Sequence, residues 1–257
     1  MNNAVFALRP ILVATAAALI LATAASAQQP VSRLKGKVTT ERGEPIANAD
    51  VRVEAFFGYA AGPYAGQRTF SGVTNARGEW SILGLHSGIW LFEVTAPGRL
   101  PETVALPIHL MTTISPGASG LMLTWQLVLK VETPPQGALG EKLLGAANAS
   151  RTGNAGQVKT MLEAVPDEAD ADHLAAAGRV ALLARDLDLA RAFFVRAFER
   201  DPSSYRAALG IASVLLLQRD FEKASRAFDA AHSRTHDKDE QKFLSAALAD
   251  LATIRVR

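Results

Sequence analysis

Apolar and polar positions alternate with a period of two along residues 31–132. In the segment ADVRVEAF, Val51 and Val53 fall on one face of a strand, whereas Arg52 and Glu54 fall on the other. About seven such segments are separated by turn signals that contain Gly, Pro or Asn. Short strands with closely spaced turns are typical of antiparallel sandwiches. The pattern therefore predicts a seven-stranded antiparallel β-sandwich over residues 31–132.

The period changes after a stretch with Pro and Gly at residues 133–140, which we interpret as a linker. Residues 141–257 are rich in Ala, Leu, Arg and Glu, and their apolar positions recur every 3.6 residues or so, which predicts amphipathic helices. Within them, a pattern recurs at a spacing of 34: Ala190, Phe194 and Ala197 are followed by Ala224, Phe228 and Ala231. This period predicts stacked helical hairpins.

Residues 171–204 and 205–238 resemble two tetratricopeptide repeats, including the small residue Gly178 and the closing Pro202 of the first. The second repeat departs from the family because His236 stands at the position of that proline. The resemblance implies a C-terminal α-helical repeat array of the kind that binds proteins or peptides. The flanking helices would cover its ends.

Residues 34–101 resemble the carboxypeptidase regulatory-like domain, a transthyretin-like β-sandwich. The residues that carry the resemblance are Gly36, Gly43, Pro45, Ala49, Val51, Thr74, Gly78 and Gly98, together with the turn GLHSG. Trp90 stands where the family usually has Tyr, and the connection at 56–67 is longer than usual. The resemblance implies a non-catalytic module. By the alternation of strand faces, Trp80 and Trp90 are expected in the core rather than in a stacking site.

The first 27 residues differ from both parts. One Arg precedes a 12-residue apolar run, and an A-x-A motif ends at Ala27. This arrangement predicts a secretory signal peptide, and the run is too short to span a bilayer. The alternative is an uncleaved anchor. Because the chain also contains no Cys, it can form no disulfide, and we expect a bacterial protein that is periplasmic or secreted.

Charge and composition exclude some partners. Removal of residues 1–27 would leave 26 basic and 25 acidic residues, and no basic run interrupts the sequence. A nearly neutral chain of this kind is not expected to bind nucleic acid or an anionic membrane surface. No membrane span is expected after the signal is removed.

Three short motifs suggest chemistry but lack part of what it needs. His232 and His236 are four residues apart, so that a helix would place both imidazoles on one face, yet no third metal ligand is fixed, and the pair is interpreted as stabilising a helix C-terminus. The stretch GNAGQVKT at 153–160 lacks the Gly-Lys pair of a phosphate-binding loop and is interpreted as a turn between helices. His86 and Ser87 are adjacent in a turn. No catalytic centre, metal or cofactor is predicted, and a hydrolase without recognisable motifs is the remaining enzymatic hypothesis.

Two surfaces are candidate binding sites. In the first, the aromatic residues Phe57, Tyr59 and Tyr64 of the loop at 56–67 could stack on a sugar or a peptide. The alternative is that they cover an open end of the sandwich. This loop would be the site if the protein were a carbohydrate-binding envelope protein.

The second candidate surface is a groove on the helical array. By resemblance to tetratricopeptide repeats, its inner face comprises Arg179, Leu182, Arg206, Leu209 and Ser213. The two arginines could bind carboxylates of a peptide; the alternative is that they are ordinary surface residues. We therefore predict a non-enzymatic exported scaffold whose array docks a protein partner in the cell envelope, with the β-sandwich as a spacer or adhesion module.

Overall fold

The computed structural model describes residues 33–58, 67–85, 87–109 and 124–255. The described residues form seven strands followed by seven helices. Within these ranges no helix combines the length and the apolar character that a bilayer crossing requires. The predicted signal peptide at 1–27 lies outside the described residues.

The strands form two sheets. They are β1 (Arg33–Thr39), β2 (Asp50–Gly58), β3 (Thr69–Val73), β4 (Glu79–Leu83), β5 (Gly88–Thr95), β6 (Glu102–Ile108) and β7 (Thr124–Lys130). The first sheet has the order β4-β1-β7, and the second has the order β3-β2-β5-β6. β1 and β7 run parallel, so the prediction of a wholly antiparallel arrangement is wrong at this pair. These two strands are distant in the chain, and no hairpin forces them to be antiparallel.

Aromatic side chains fill the space between the two sheets. The ring centroids of Trp80 on β4 and Phe92 on β5 are 6.3 Å apart, and those of Phe70 and Trp90 are 5.8 Å apart. Both tryptophans are buried, as their strand positions predict. A Cβ atom at Gly36 would lie 2.3 Å from the indole ring of Trp80, so only glycine allows β1 to approach that ring.

The helices occupy residues 138–255. They are α1 (Ala138–Arg151), α2 (Ala155–Glu163), α3 (Ala171–Leu183), α4 (Leu187–Arg200), α5 (Tyr205–Leu217), α6 (Phe221–Arg234) and α7 (Lys238–Arg255). The first of them begins inside the predicted linker at 133–140. At five N-termini a side chain accepts a backbone N–H bond, which fixes where the helix begins; these residues are Asn154, Asp170, Asp186, Ser204 and Asp220.

Phe194 on α4 packs between two glycines of neighbouring helices. A Cβ atom at Gly178 on α3 would lie 2.7 Å from the Phe194 ring, and one at Gly210 on α5 would lie 2.3 Å from it. The two glycines therefore let three helices meet around one aromatic side chain, as the small residue at 178 predicts.

The helices cover the outer face of the second sheet. We call residues 33–130 the β half and residues 138–255 the helical half. In β5 every residue from Ile89 to Val94 is buried, including Glu93, which lies on the face opposite Phe92. The helices that contact β6 are α3, α5 and α7, and α7 also contacts β7. The inner face of the repeats is thus turned toward the chain's own sheet.

Candidate functional site

Side chains of the helical half form hydrogen bonds with the edge of β6 that faces away from β5. Alternate N–H groups of an edge strand point away from the neighbouring strand. Ala105 N–H donates to Ser213 Oγ at 3.1 Å, and His109 N–H donates to Asp250 Oδ2 at 2.6 Å. Pro107, between them, has no N–H to donate. The helical half therefore takes the place that a further strand would occupy.

The start of β6, and Glu132 just beyond the β half, are joined to the helices by ion pairs around the buried Arg179. Arg179 on α3 is 4% exposed; its Nη1 donates to Glu102 Oε2 at 3.4 Å, and its Nη2 pairs with Glu132. Arg206 on α5 pairs with Glu132 as well. The two arginines pair with carboxylates of this chain, and the prediction that they bind carboxylates of a peptide stays a prediction.

Burial dominates the electrostatics of this cluster. It raises the pKa of Glu102 above its usual value, and the nearby Arg179 and Arg206 offset that only in part. Burial also lowers the pKa of Arg179, against the attraction of Glu102. The phenol of Tyr205, buried beside them, has a pKa well above its usual value for the same reason. Such pairs orient two surfaces more than they stabilise them, because desolvation offsets the attraction.

A cation of the β half reaches the helices in the opposite direction. Lys130 Nζ, at the end of β7, lies 2.7 Å from Asp237 Oδ2 and 3.1 Å from Glu240 Oε1. Burial lowers the pKa of Lys130, but its bonds to the two carboxylates outweigh burial and raise that pKa overall. These ion pairs, in which the β half supplies the cation and the helical half supplies the acids, hold the start of α7 against β7.

Two arginines that occupy equivalent turns of successive repeats, 34 residues apart, both contact the second sheet. Arg185 and Arg219 each follow the first helix of a repeat and adopt left-handed backbone conformations, with φ of 67° and 65°. Arg185 Nη2 lies 2.5 Å from Glu54 Oε2, and Nη1 pairs with Glu93. The guanidinium carbon of Arg219 lies 4.6 Å from the ring centroid of Phe57, a cation–π contact. Successive repeats therefore present the same turn position to the sheet.

Sequence reasoning missed these two arginines. The available signal was the Arg-Asp dipeptide that recurs at the repeat spacing, at 185–186 and 219–220. A second signal was the pair of acids, Glu54 and Glu93, on strand faces opposite the core residues. Each signal becomes meaningful only when the helices are known to cover that face.

The inner-face residues of the predicted groove are covered by the rest of the chain. Leu182, Leu209 and Ser213 are buried, as is Arg179, and the Arg206 side chain is 34% exposed. Leu182 belongs to the apolar core, whereas Leu209 lines a small cavity beside Arg179. None of the four buried residues is open to a separate partner while the β half occupies this face.

The other candidate residues are placed as follows. Phe57 is half-buried beneath Arg219, and its ring also contacts Phe56 at 5.4 Å. Tyr59 and Tyr64 lie outside the described residues, so the aromatic-loop prediction stays a prediction. Phe57 itself is held at the junction of the two halves.

The motifs with weak chemical signals also have defined places. His232 Nε2 lies 3.0 Å from Ser245 Oγ on α7, whereas His236 is exposed. No group of three metal-ligating side chains lies together in the described part of the chain. The stretch at 153–160 forms the turn before α2 and most of that helix, which Asn154 caps, as predicted. His86 lies outside the described residues.

A small cavity lies where β6, β7, α3, α5 and α7 meet. It is lined by Arg179, Tyr205, Lys130 and Glu240 among others, and its volume is about 30 Å³. That is space for about two water molecules. The Nε atom of Arg179 is buried there with no hydrogen-bond partner among the described residues. This volume is too small for a sugar or a peptide.

Comparison with known proteins gives structural neighbours of low similarity. No protein-family model matches this sequence, and no curated protein matches it either. The type III secretion translocator chaperone SycD of Yersinia enterocolitica is 18% identical, with 46% of this chain and 86% of that chain covered and a TM-score of 0.40. The TPR2B domain of yeast Sti1, in its pHsp70 complex, is 15% identical, with 45% and 97% covered and a TM-score of 0.38.

Catechol 1,2-dioxygenase of Acinetobacter is a neighbour of another kind, at 13% identity, with 44% of this chain covered and a TM-score of 0.32. The match spans 55% of that enzyme, and two further dioxygenases are matched over 57% and 53% of their lengths. At these TM-scores none of the neighbours bears on function, and the arrangement of the chain's own residues carries the argument.

Proposed function

We propose that this protein is an exported, non-enzymatic interaction scaffold whose helical half docks a protein partner and whose β half is held against it. One observation supports this most directly: the inner face of the repeats binds carboxylates and the backbone of an extended strand. Arg179 binds Glu102 and Glu132, and Ser213 accepts the Ala105 N–H. These are the contacts by which a groove recognises an extended peptide.

A binding role rather than a catalytic one is supported by how the polar groups are used. The arginines of the interface pair with acids of the chain, and Asp250 accepts a backbone N–H. The cavity beside Arg179 holds space for about two waters. Polar groups that pair with one another in this way hold two surfaces of the chain together, which supports a binding role.

Export is proposed from the segment at 1–27 and from the lack of Cys. In the cell envelope, the β half would act as a spacer or adhesion module whose position is fixed by the helices. The free edges of the two sheets at β3 and β4 lie at the other end of the strand order from β6 and β7, so the β half can present them without disturbing the interface.

Affinity capture and fractionation test this proposal. The full chain, immobilised, is expected to enrich at least one protein from an envelope extract by tenfold or so over the same bait denatured by heat, and a tagged chain is expected in the periplasm or the medium. Binding of a polysaccharide on a glycan array without protein enrichment would contradict the proposal and favour a carbohydrate-binding envelope protein. Retention of the tagged chain in the cytoplasm would contradict export.

A further inference from the structure

The chain's own sheet already occupies the inner face of the helical half. We propose that the β half is the resident occupant of this face, and that the partner is an extended acidic segment of another protein that competes with it. The inference rests on the proposed function and specifies the chemistry of the partner. Binding of that segment would release the outer face of the second sheet from the helices.

Charge complementarity argues for an acidic partner. Among the described residues, the cations of the helical half that pair with the β half or with Glu132 are Arg151, Arg179, Arg185 and Arg206. Their partners are Asp50, Glu54, Glu93, Glu102 and Glu132. Lys130 is the reversed case, since it pairs with two acids of the helical half. A competing segment that supplies carboxylates can satisfy the same arginines, whereas a basic segment would leave them unpaired.

The shape of the contact argues for an extended segment. Ser213 and Asp250 accept N–H groups of Ala105 and His109, which are four residues apart on one strand. In an extended chain that spacing is about 13 Å. Because the bonds are to backbone N–H groups, any extended segment offers the same donors. An acid three residues before the first of them would match the position of Glu102 relative to Ala105.

The contact is also of a kind that can exchange. Two polar atoms at this junction, Arg179 Nε and Thr103 Oγ1, are buried with no hydrogen-bond partner among the described residues. Thr103 and Arg179 both line the small cavity between the halves, which has space for about two water molecules. Contacts between the parts of one chain resemble transient interfaces when they are rich in polar groups. The apolar side chains of both halves belong to one core, so a competing segment has to replace apolar contacts as well as ion pairs.

An engineered disulfide between the two halves, which can be formed and reduced, tests the inference. The chain has no Cys, so the pair Ala105→Cys and Ser213→Cys, at neighbouring positions of the two halves, introduces the only thiols. Oxidation would then fasten β6 to α5, and reduction would free it without any change of sequence. The probe is a fluorescein-labelled peptide with the sequence of residues 100–109, LPETVALPIH, followed by fluorescence anisotropy.

We expect the reduced protein to bind this peptide at least tenfold more tightly than the oxidised protein. The same peptide with Glu102→Gln should bind the reduced protein about tenfold more weakly, because the Arg179 contact loses its charge. Equal binding to the oxidised and reduced forms, including no binding to either, would overturn the inference. So would equal binding of the two peptides.

A second variant leaves the strand and the groove unchanged. Glu132→Gln removes the carboxylate shared by Arg179 and Arg206 and should strengthen peptide binding by about tenfold relative to the wild-type chain; unchanged or weaker binding would contradict the inference. Capture of envelope protein by the locked and the reduced chain separates the two proposals. Equal capture by both leaves the scaffold role intact and refutes competition, whereas capture by neither refutes the scaffold role.

Discussion

At the scale of single residues, Asp250 has an environment that makes folding depend on pH. Its carboxylate is 9% exposed and accepts the His109 N–H. Burial raises its pKa from 3.8 to about 6, and the hydrogen bond offsets only part of this. Because the folded protein holds the proton more tightly than the unfolded chain does, the stabilising contribution is complete below pH 4 or so and is lost as pH rises through about 6.

Asp250→Asn should therefore stabilise the protein at neutral pH. Asn keeps an oxygen that can accept the His109 N–H and removes the buried charge. The melting temperature is expected to rise by about 2–4 °C at pH 7.5 and to change less at pH 4, where the wild-type carboxyl is protonated in the folded protein and partly protonated in the unfolded chain. Thermal unfolding at the two pH values measures this. A larger gain in melting temperature at pH 4 than at pH 7.5 would contradict the predicted direction of the pH dependence.

The two glycines at 145 and 210 give opposite predictions for the same substitution. At Gly210→Ala the new Cβ would lie 2.3 Å from the Phe194 ring, and we expect a loss of about 1–3 kcal/mol in the free energy of unfolding. At Gly145→Ala the nearest atom, Met161 Cε, is 3.6 Å away. Because Ala favours a helix more than Gly does, that control should gain about 0.5–1 kcal/mol. Urea denaturation of both variants checks the pair.

At the scale of elements, Ser213 bonds the middle of the β6 edge at the Ala105 N–H. Ser213→Ala would leave the Ala105 N–H buried without its acceptor, and the expected cost is about 1–3 kcal/mol. Ser245→Ala is the matched control on a helix, since its hydroxyl is exposed and contacts His232; it should change stability by less than about 0.5 kcal/mol. Equal effects of the two substitutions in chemical denaturation would show that Ser213 does not bond the edge.

The sequence predicts elements better than it predicts how they pair. The alternation over residues 31–132 and the helical period of the 34-residue repeats can be recognised from short stretches of sequence. The strands and the helices lie where these two patterns predict them. The parallel pairing of β1 with β7 and the burial of Glu93 depend on segments far apart in the chain. The groove was predicted from the repeats alone, so its arginines were identified, but the source of their carboxylates was not.

At the scale of the whole molecule, the buried and exposed ion pairs should contribute unequally to holding the halves together. Arg179→Ala would leave Glu102 and Glu132 buried without that cation, and we expect a loss of about 3 kcal/mol. Arg151→Ala removes an exposed pair with Asp50 and should cost less than about 0.5 kcal/mol. Urea denaturation of the two arginine variants compares them directly. Similar losses would contradict the assignment of Arg179 to the centre of the interface.

The central claim is that the inner face of the helical half is docked on the edge of β6, and amide hydrogen exchange tests it most directly. The Ala105 and His109 amides donate to Ser213 and Asp250. We predict that both exchange slowly and that Ser213→Ala accelerates exchange at Ala105 by at least tenfold. Rapid exchange of both amides in the wild-type protein, as at an open strand edge, would contradict the account.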